Sequence, residues 1–245
     1  MEIFDLGIAW NREEDNEFAT DLNDYALKKG LKPYIMHAYN FYSTLKDIIE
    51  DRISFRVFFN RTSGDDSTFS GLADLLKKKD VIFINHPDRV KKSKEALRSK
   101  EQYGNDFFLI QDKILPINLG NRPAWFRVIY CFGKIIPCWW HPVTHVYDVL
   151  TVKQICALGL DDIWYTTKNI SQICKLDFFY TEVVLKNNKK FIVVNYVNDQ
   201  PDMRKKSKFD KGIPDEVVEK IVDDIVLFVK HRTRQKSKRW PMELE

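Results

Sequence analysis

The strongest constraint on the fold is a change of texture near residue 105. Before it, the short apolar runs "IFDLGIAW", "KPYIMHA", "FRVFFNR" and "VIFINHP" are separated by helical patterns over about 13–29, up to about 50, ending in "LLKKKD", and over about 88–101. Strands joined through helices rather than tight turns must cross over, so this part is predicted to be a parallel βαβ sheet. The loop "TSGDDSTFSG" follows one of these strands, at the edge where open α/β sheets take ligands. After it, "FFLIQDKI", "WFRVIYCF" and "IIPCWW" follow one another closely, as antiparallel strands do. Helices are expected near 151–159 and 164–174, then the strands "DFFYTEVVL" and "KFIVVNYVN", joined as a hairpin through "KNNKK" with Asn187 and Asn188 at positive φ.

A last helix is predicted over 214–230, with Pro214 and Asp215 at its start. It carries Val217, Ile221, Ile225 and Phe228 on one stripe and is expected to pack on the antiparallel sheet. The fold class is therefore α/β with an α+β C-terminal half. The expected domains are 1–104, 105–232 and a basic, frayed tail over 233–245.

The 245 residues are 44% hydrophobic, enough for a buried core. The 39 basic and 35 acidic residues nearly cancel, so the formal charge of +4 gives no case for a nucleic-acid partner. No apolar run approaches the roughly 18 residues of a membrane span, and "MEIFDLGIAW" lacks the basic start of a signal peptide, so a cytoplasmic protein with no membrane partner is expected. Four cysteines without a C-x-x-C pair are expected to be reduced and mostly buried. No internal repeat is present, which removes solenoids and propellers.

"RVIYCFGKIIPCWWHPVTHVY" gathers Cys131, Cys138, His141 and His145, an order that invites zinc. A turn at Gly133 and Lys134 would pair Cys131 with Ile136 and set Cys138 opposite Ile129, so the thiols would not face one another. Zinc cysteines come closer together around a knuckle, and His141 and His145 share a loop with Pro142 rather than a helix face. The expectation is a hairpin, with the histidines satisfied by nearby backbone.

Polar residues interrupt strands that would otherwise be apolar. Asp177 and Glu182 fall on one strand, Asn195, Asn198 and Asp199 on the next, and oxygen ligands on adjacent strands suit magnesium beside nucleotide phosphates. Glu182 is placed across from about residue 193, within reach of a patch shared with Asn195. Arg127 sits inside an apolar strand, where burial demands a carboxylate or phosphate partner, and Arg122 and Arg204 flank the region.

Taken together, "FFLIQDKI", "NRPAWFRVIYCFG", "IPCWWHPVTHVY", "LDFFYTEVVL" and "FIVVNYVNDQPDMR" resemble the C-terminal half of the ATP-grasp domain, and the first hundred residues resemble the domain that precedes it. The resemblance implies ATP and Mg2+ and a small carboxylate-bearing substrate activated as an acylphosphate before coupling to an amine or thiol. It implies an adenine hinge at Gln111, Asp112, Lys113 and Ile114, with Lys94 and Arg122 also on the nucleotide. Arg127 would meet phosphate, Arg122 or Arg204 the substrate acid, and Glu182, Asn195 and Asn198 the metal.

Two departures accompany the match. Asn195 stands where an acidic metal ligand is usual, and the stretch between Lys94 and Gln111 is too short for the lid subdomain such enzymes insert there. The two readings that follow are an ATP-dependent ligase and a non-catalytic nucleotide- or protein-binding module on the same fold.

Overall fold

The structure, a computed structural model, describes residues 1–62, 69, 71–98 and 114–237. It divides into two compact units. Unit 1 holds Met1–His86, Asp202–Arg204 and the chain from Glu216, and unit 2 holds Pro87–Pro201 and Lys205–Asp215.

Unit 1 is built on the parallel sheet expected from the crossover texture. Strands β1 (Glu2–Trp10), β2 (Pro33–Met36), β3 (Ile53–Arg61) and β4 (Ile82–Ile84) lie in the order β2-β1-β3-β4, every pair parallel. They are linked by α1 (Asn16–Lys28), α2 (Phe41–Ile49) and α3 (Leu72–Lys77). Phe41 and Ile48 of α2 and Leu72 and Leu76 of α3 pack with Ala9, Phe55 and Phe58 of the sheet into one core. Gly7 on β1 lies under that core, where an added Cβ would fall 2.6 Å from Phe58 Cδ2 and 2.7 Å from Phe55 Cδ1. Both rings are buried and cannot swing away. Gly7→Ala is therefore expected to cost about 1–3 kcal/mol in urea unfolding, through overpacking rather than backbone strain.

Unit 2 opens with α4 (Pro87–Arg98) and a short hairpin of β5 (Asn118–Leu119) and β6 (Arg122–Pro123). Its main sheet takes β7 (Trp125–Cys131), β8 (Lys134–Trp140), β9 (Tyr147–Val149), β10 (Phe178–Leu185) and β11 (Phe191–Asn198) in the order β11-β10-β7-β8-β9, all antiparallel. Helix α5 (Val152–Leu158) starts at a capping box, Thr151 accepting from the Gln154 N–H while the Gln154 side chain accepts from the Thr151 N–H. Helix α6 (Asp162–Cys174) follows, and Ile155, Leu160 and Ile163 pack with Phe126, Val128, Trp139 and Val183 of the sheet. Alternation then turns Arg127, Trp140 and Glu182 to the other side.

Both hairpins differ from the expected registers. The β7–β8 turn is Phe132–Gly133, with φ of 46° and 91°, so Cys131 pairs with Lys134 and Cys138 with Arg127 rather than with Ile136 and Ile129. A two-residue turn of this hand needs two positive φ values, and Gly133 supplies the second at no steric cost. The backbone N–H of Phe132 is held by the Asp177 carbonyl at 2.8 Å. In the β10–β11 hairpin the positive φ, 57°, belongs to Lys189 and not to Asn187 or Asn188. The loop has three residues, and its left-handed position is the last of them.

Helix α7 (Asp215–Ser237) departs furthest from expectation. Its stripe is buried at Val217, Ile221 and Ile225, but from Glu216 onward it belongs to unit 1 and not to the antiparallel sheet. Tyr25 of α1 donates to Asp223 Oδ1 at 2.6 Å, and Arg56 Nη1 of β3 donates to the Thr233 carbonyl at 3.2 Å. The helix continues through Ser237, where a frayed tail was expected from 233. The expected strand "FFLIQDKI" lies outside the described residues except for Ile114, as do residues 63–68 and 70 of the Gly/Asp/Ser loop.

Candidate functional site

The polar residues singled out on the C-terminal strands form a row across the sheet of unit 2. Glu182 on β10 pairs with Arg127 on β7 and with Asn195 on β11. Two irregularities make this row. The ladder steps from Tyr180↔Asn198 to Glu182↔Asn195 and then to Val183↔Val193, so β11 spends an extra residue on each side of Asn195. Residues three apart on a regular strand face opposite sides, and the bulges instead set Asn195 and Asn198 opposite Glu182 and Tyr180, which share a face. The bulge also moves the cross-strand partner of Glu182 from the expected residue 193 to Asn195.

Arg127 has the carboxylate partner that burial demands. Its side chain is 12% exposed, and Nε and Nη2 both donate to Glu182 Oε1, at 3.0 and 2.5 Å. Nη1 donates to the Tyr147 hydroxyl. The guanidinium lies 4.0 Å from the Trp140 ring centre, 4.3 Å from that of Tyr180 and 5.2 Å from that of Tyr147, an aromatic cage that suits a planar cation. Burial works against the Arg127 charge, yet Tyr147, Tyr180 and Glu182 together hold its pKa above the ordinary value. Burial also pushes the Tyr147 hydroxyl up, against the pull of Arg127, so that it stays a neutral phenol at physiological pH.

Asn198 is engaged at both ends of its amide. Nδ2 donates to the Tyr180 hydroxyl at 2.9 Å, and Oδ1 accepts from the Gln200 N–H at 2.8 Å. One carboxylate and two amide oxygens on adjacent strands are an oxygen-only donor set of the kind magnesium takes, with a single formal charge. Among the described residues no group of three or more His, Cys, Asp or Glu could hold a metal. Cys131 and Cys138 are buried, and His141 Nδ1 accepts from the Val143 and Thr144 N–H groups at 3.3 and 3.2 Å.

The remaining residues are dispersed. Arg122 on β6 donates to Asp148 Oδ2 at 2.7 Å. Arg204 belongs to unit 1 and is paired with Asp202, Nη2 to Oδ2 at 2.5 Å. Burial works to raise the Asp202 carboxyl, but the Arg204 hydrogen bonds outweigh it and hold the group below the usual carboxylate range. Gln111, Asp112 and Lys113 lie outside the described residues, as do the side chain of Lys94 in α4 and residues 99–113, where the lid was expected to be missing; Ile114 is half-buried in an irregular segment of unit 2. Sequence reasoning missed the aromatic cage. Its signal was strand parity, because Tyr180 and Glu182 share a face of β10, as do Cys138 and Trp140 of β8.

The chain matches no protein-family model and no curated protein. Its structure has the ATP-grasp fold, a parallel α/β domain preceding an antiparallel C-terminal sheet. The ATP-grasp ligase PsnB, complexed with precursor peptide PsnA2 and AMPPNP, superposes with a TM-score of 0.58 at 7% identity, covering 95% of this chain and 98% of that one. D-alanine–D-alanine ligase from Bacillus anthracis, complexed with ATP, gives 0.57 at 10% identity over 97% of this chain and 100% of that one. The macrocyclase MdnB from Microcystis aeruginosa MRC gives 0.54 at 12% identity over 90% and 99%. No helix among the described residues is long and apolar enough to cross a membrane.

Proposed function

We propose that this protein is an ATP-dependent ligase that activates a substrate carboxylate, with the face bearing Arg127, Glu182, Asn195 and Asn198 as its phosphate and metal site. The observation that carries the reading is the bulged register, which lines up one cation, one carboxylate and two amides across adjacent strands of an ATP-grasp fold. The nucleotides in the B. anthracis ligase and in PsnB support ATP as co-substrate. A carboxylate oxygen of the substrate attacks the γ-phosphorus, the bond to the ADP oxygen breaks, and an acylphosphate forms that an amine or thiol then opens with loss of phosphate. Magnesium, when bound by Glu182, Asn195 and Asn198, supplies neutralisation of phosphate charge.

Catalysis of this kind is chiefly positioning and charge neutralisation. Arg127 reaches phosphate oxygens by giving up part of its contact with Glu182, whose carboxylate is then shared between cation and metal. Arg122 or Arg204 holds the substrate acid. Gln111, Asp112, Lys113 and Ile114, with Lys94, serve the nucleotide's base and phosphates. Asn195→Asp restores a second formal charge and is expected to tighten magnesium binding by about tenfold, read by isothermal titration. Unchanged affinity removes the row from the metal site.

A second reading, a non-catalytic nucleotide- or protein-binding module, draws on the mutual satisfaction of Arg127 and Glu182 and on the neutral Asn195. It predicts that any nucleotide binding is indifferent to magnesium.

A further inference from the structure

A pocket of about 430 Å³ opens at the end of the unit 2 sheet, lined by Arg122, Trp139, Trp140, His141, Thr144 and Asp148 among others. Its volume falls within the range of small-molecule sites. These residues define what it accepts.

Arg122 spends Nη1 on Asp148, and its Nε and Nη2 make no bond among the described residues. Asp148 is shared, because Lys206 Nζ also reaches its Oδ1 at 3.2 Å while donating to the Tyr147 carbonyl at 2.5 Å. Two cations around one carboxylate leave a net positive charge at the rim, which favours a monoanion. His141 adds a directed donor. Two backbone N–H groups converge on its Nδ1, which must therefore be the acceptor nitrogen, so the ring proton sits on Nε2. That Nε2–H has no partner among the described residues. Trp139, on the face of β8 that meets Arg122, supplies a flat apolar wall, and the Arg122 guanidinium lies 5.8 Å from its ring centre. Inorganic phosphate carries no apolar body and gains nothing from the tryptophan wall.

We propose that this pocket binds a small carboxylate carried on a flat apolar body, such as an aryl carboxylate. The carboxylate meets the uncommitted nitrogens of Arg122 and the Nε2–H of His141, and the ring lies against Trp139. Trp140, also in the pocket lining, stacks on Arg127, so one residue is common to the pocket and the phosphate cluster. Assigning the pocket to the substrate acid rests on the ligase reading, but binding to it does not require nucleotide.

The test is isothermal titration of the full chain, without nucleotide, against phenylacetate, its neutral counterpart phenylacetamide, and inorganic phosphate. Phenylacetate is expected to bind about tenfold or more tighter than either, a difference set by the charged hydrogen bonds against the amide and by the apolar wall against phosphate. Arg122→Gln is expected to abolish the preference. Equal affinity for acid and amide, tighter binding of phosphate, no binding of phenylacetate, or a preference that survives Arg122→Gln would each overturn the proposal. Should phenylacetate bind as expected while ATP does not bind, the pocket stands and the ligase reading falls.

Discussion

Glu182→Ala is expected to lower the unfolding free energy by roughly 3–5 kcal/mol, because it strands the Arg127 guanidinium in its cage without a counter-charge. Three rings and the Tyr147 hydroxyl solvate that cation less well than water does, and the pair is too buried for water to replace the carboxylate. Arg127→Ala is expected to cost a similar amount, since it leaves the Glu182 carboxylate buried. Loss of Arg127 is therefore expected to impair stability as well as nucleotide binding. The double variant Arg127→Met/Glu182→Leu removes both charges and keeps apolar volume, so it is expected to recover most of the lost stability. Urea unfolding of the wild type, the two single variants and the double variant reads whether losing both charges costs less than losing either. If the double variant is near wild type in stability and fails to bind nucleotide, the pair acts in the site and not only in the sheet.

Asp15→Ala is expected to have the second large effect, again roughly 3–5 kcal/mol. Asp15 has no exposed surface and Arg61 is 1% exposed; Oδ1 accepts from Arg61 Nε at 3.1 Å and from its Nη2, while Oδ2 accepts from Arg12 Nε and Nη2 at 2.8 and 2.6 Å. The Arg61 guanidinium also lies over the rings of Phe18 and Phe59, so removing Asp15 takes the carboxylate's hydrogen bonds from a buried cation. Arg12 is 27% exposed, and its removal is expected to cost only about 1 kcal/mol because water can take its place. Equal losses for Asp15→Ala and Arg12→Ala in urea unfolding would mean that the Arg61 contact carries little of the energy.

The architecture was legible because helical spacing between apolar runs admits only crossover connections, whereas the close succession from "WFRVIYCF" onward admits only hairpins. Arg127 was legible as a residue in need of a counter-charge, since an unpaired guanidinium inside an apolar strand has no cheap solution. Details that depend on one backbone residue were not. Phe132 occupies a positive φ that its bulky side chain gives no reason to expect, and that choice shifts the whole β7–β8 register. The two bulges beside Asn195 leave no mark in residue type, yet they decide that Asn195 and Asn198 serve one face. The stripe of α7 announced an amphipathic helix but said nothing of which sheet it would cover, and contacts to Tyr25 and Arg56 settled that far away in sequence. The Asp15–Arg61 pair was hidden for the same reason, with its members 46 positions apart.

The central claim is that the bulged row on the unit 2 sheet is a magnesium-nucleotide site, and isothermal titration of the full chain with ATP, with and without Mg2+, tests it most directly. The account predicts saturable binding that requires magnesium and is lost in Arg127→Met/Glu182→Leu. Absence of ATP binding, or binding of equal strength without magnesium and in the double variant, would contradict it and leave the fold in use for something other than ATP chemistry.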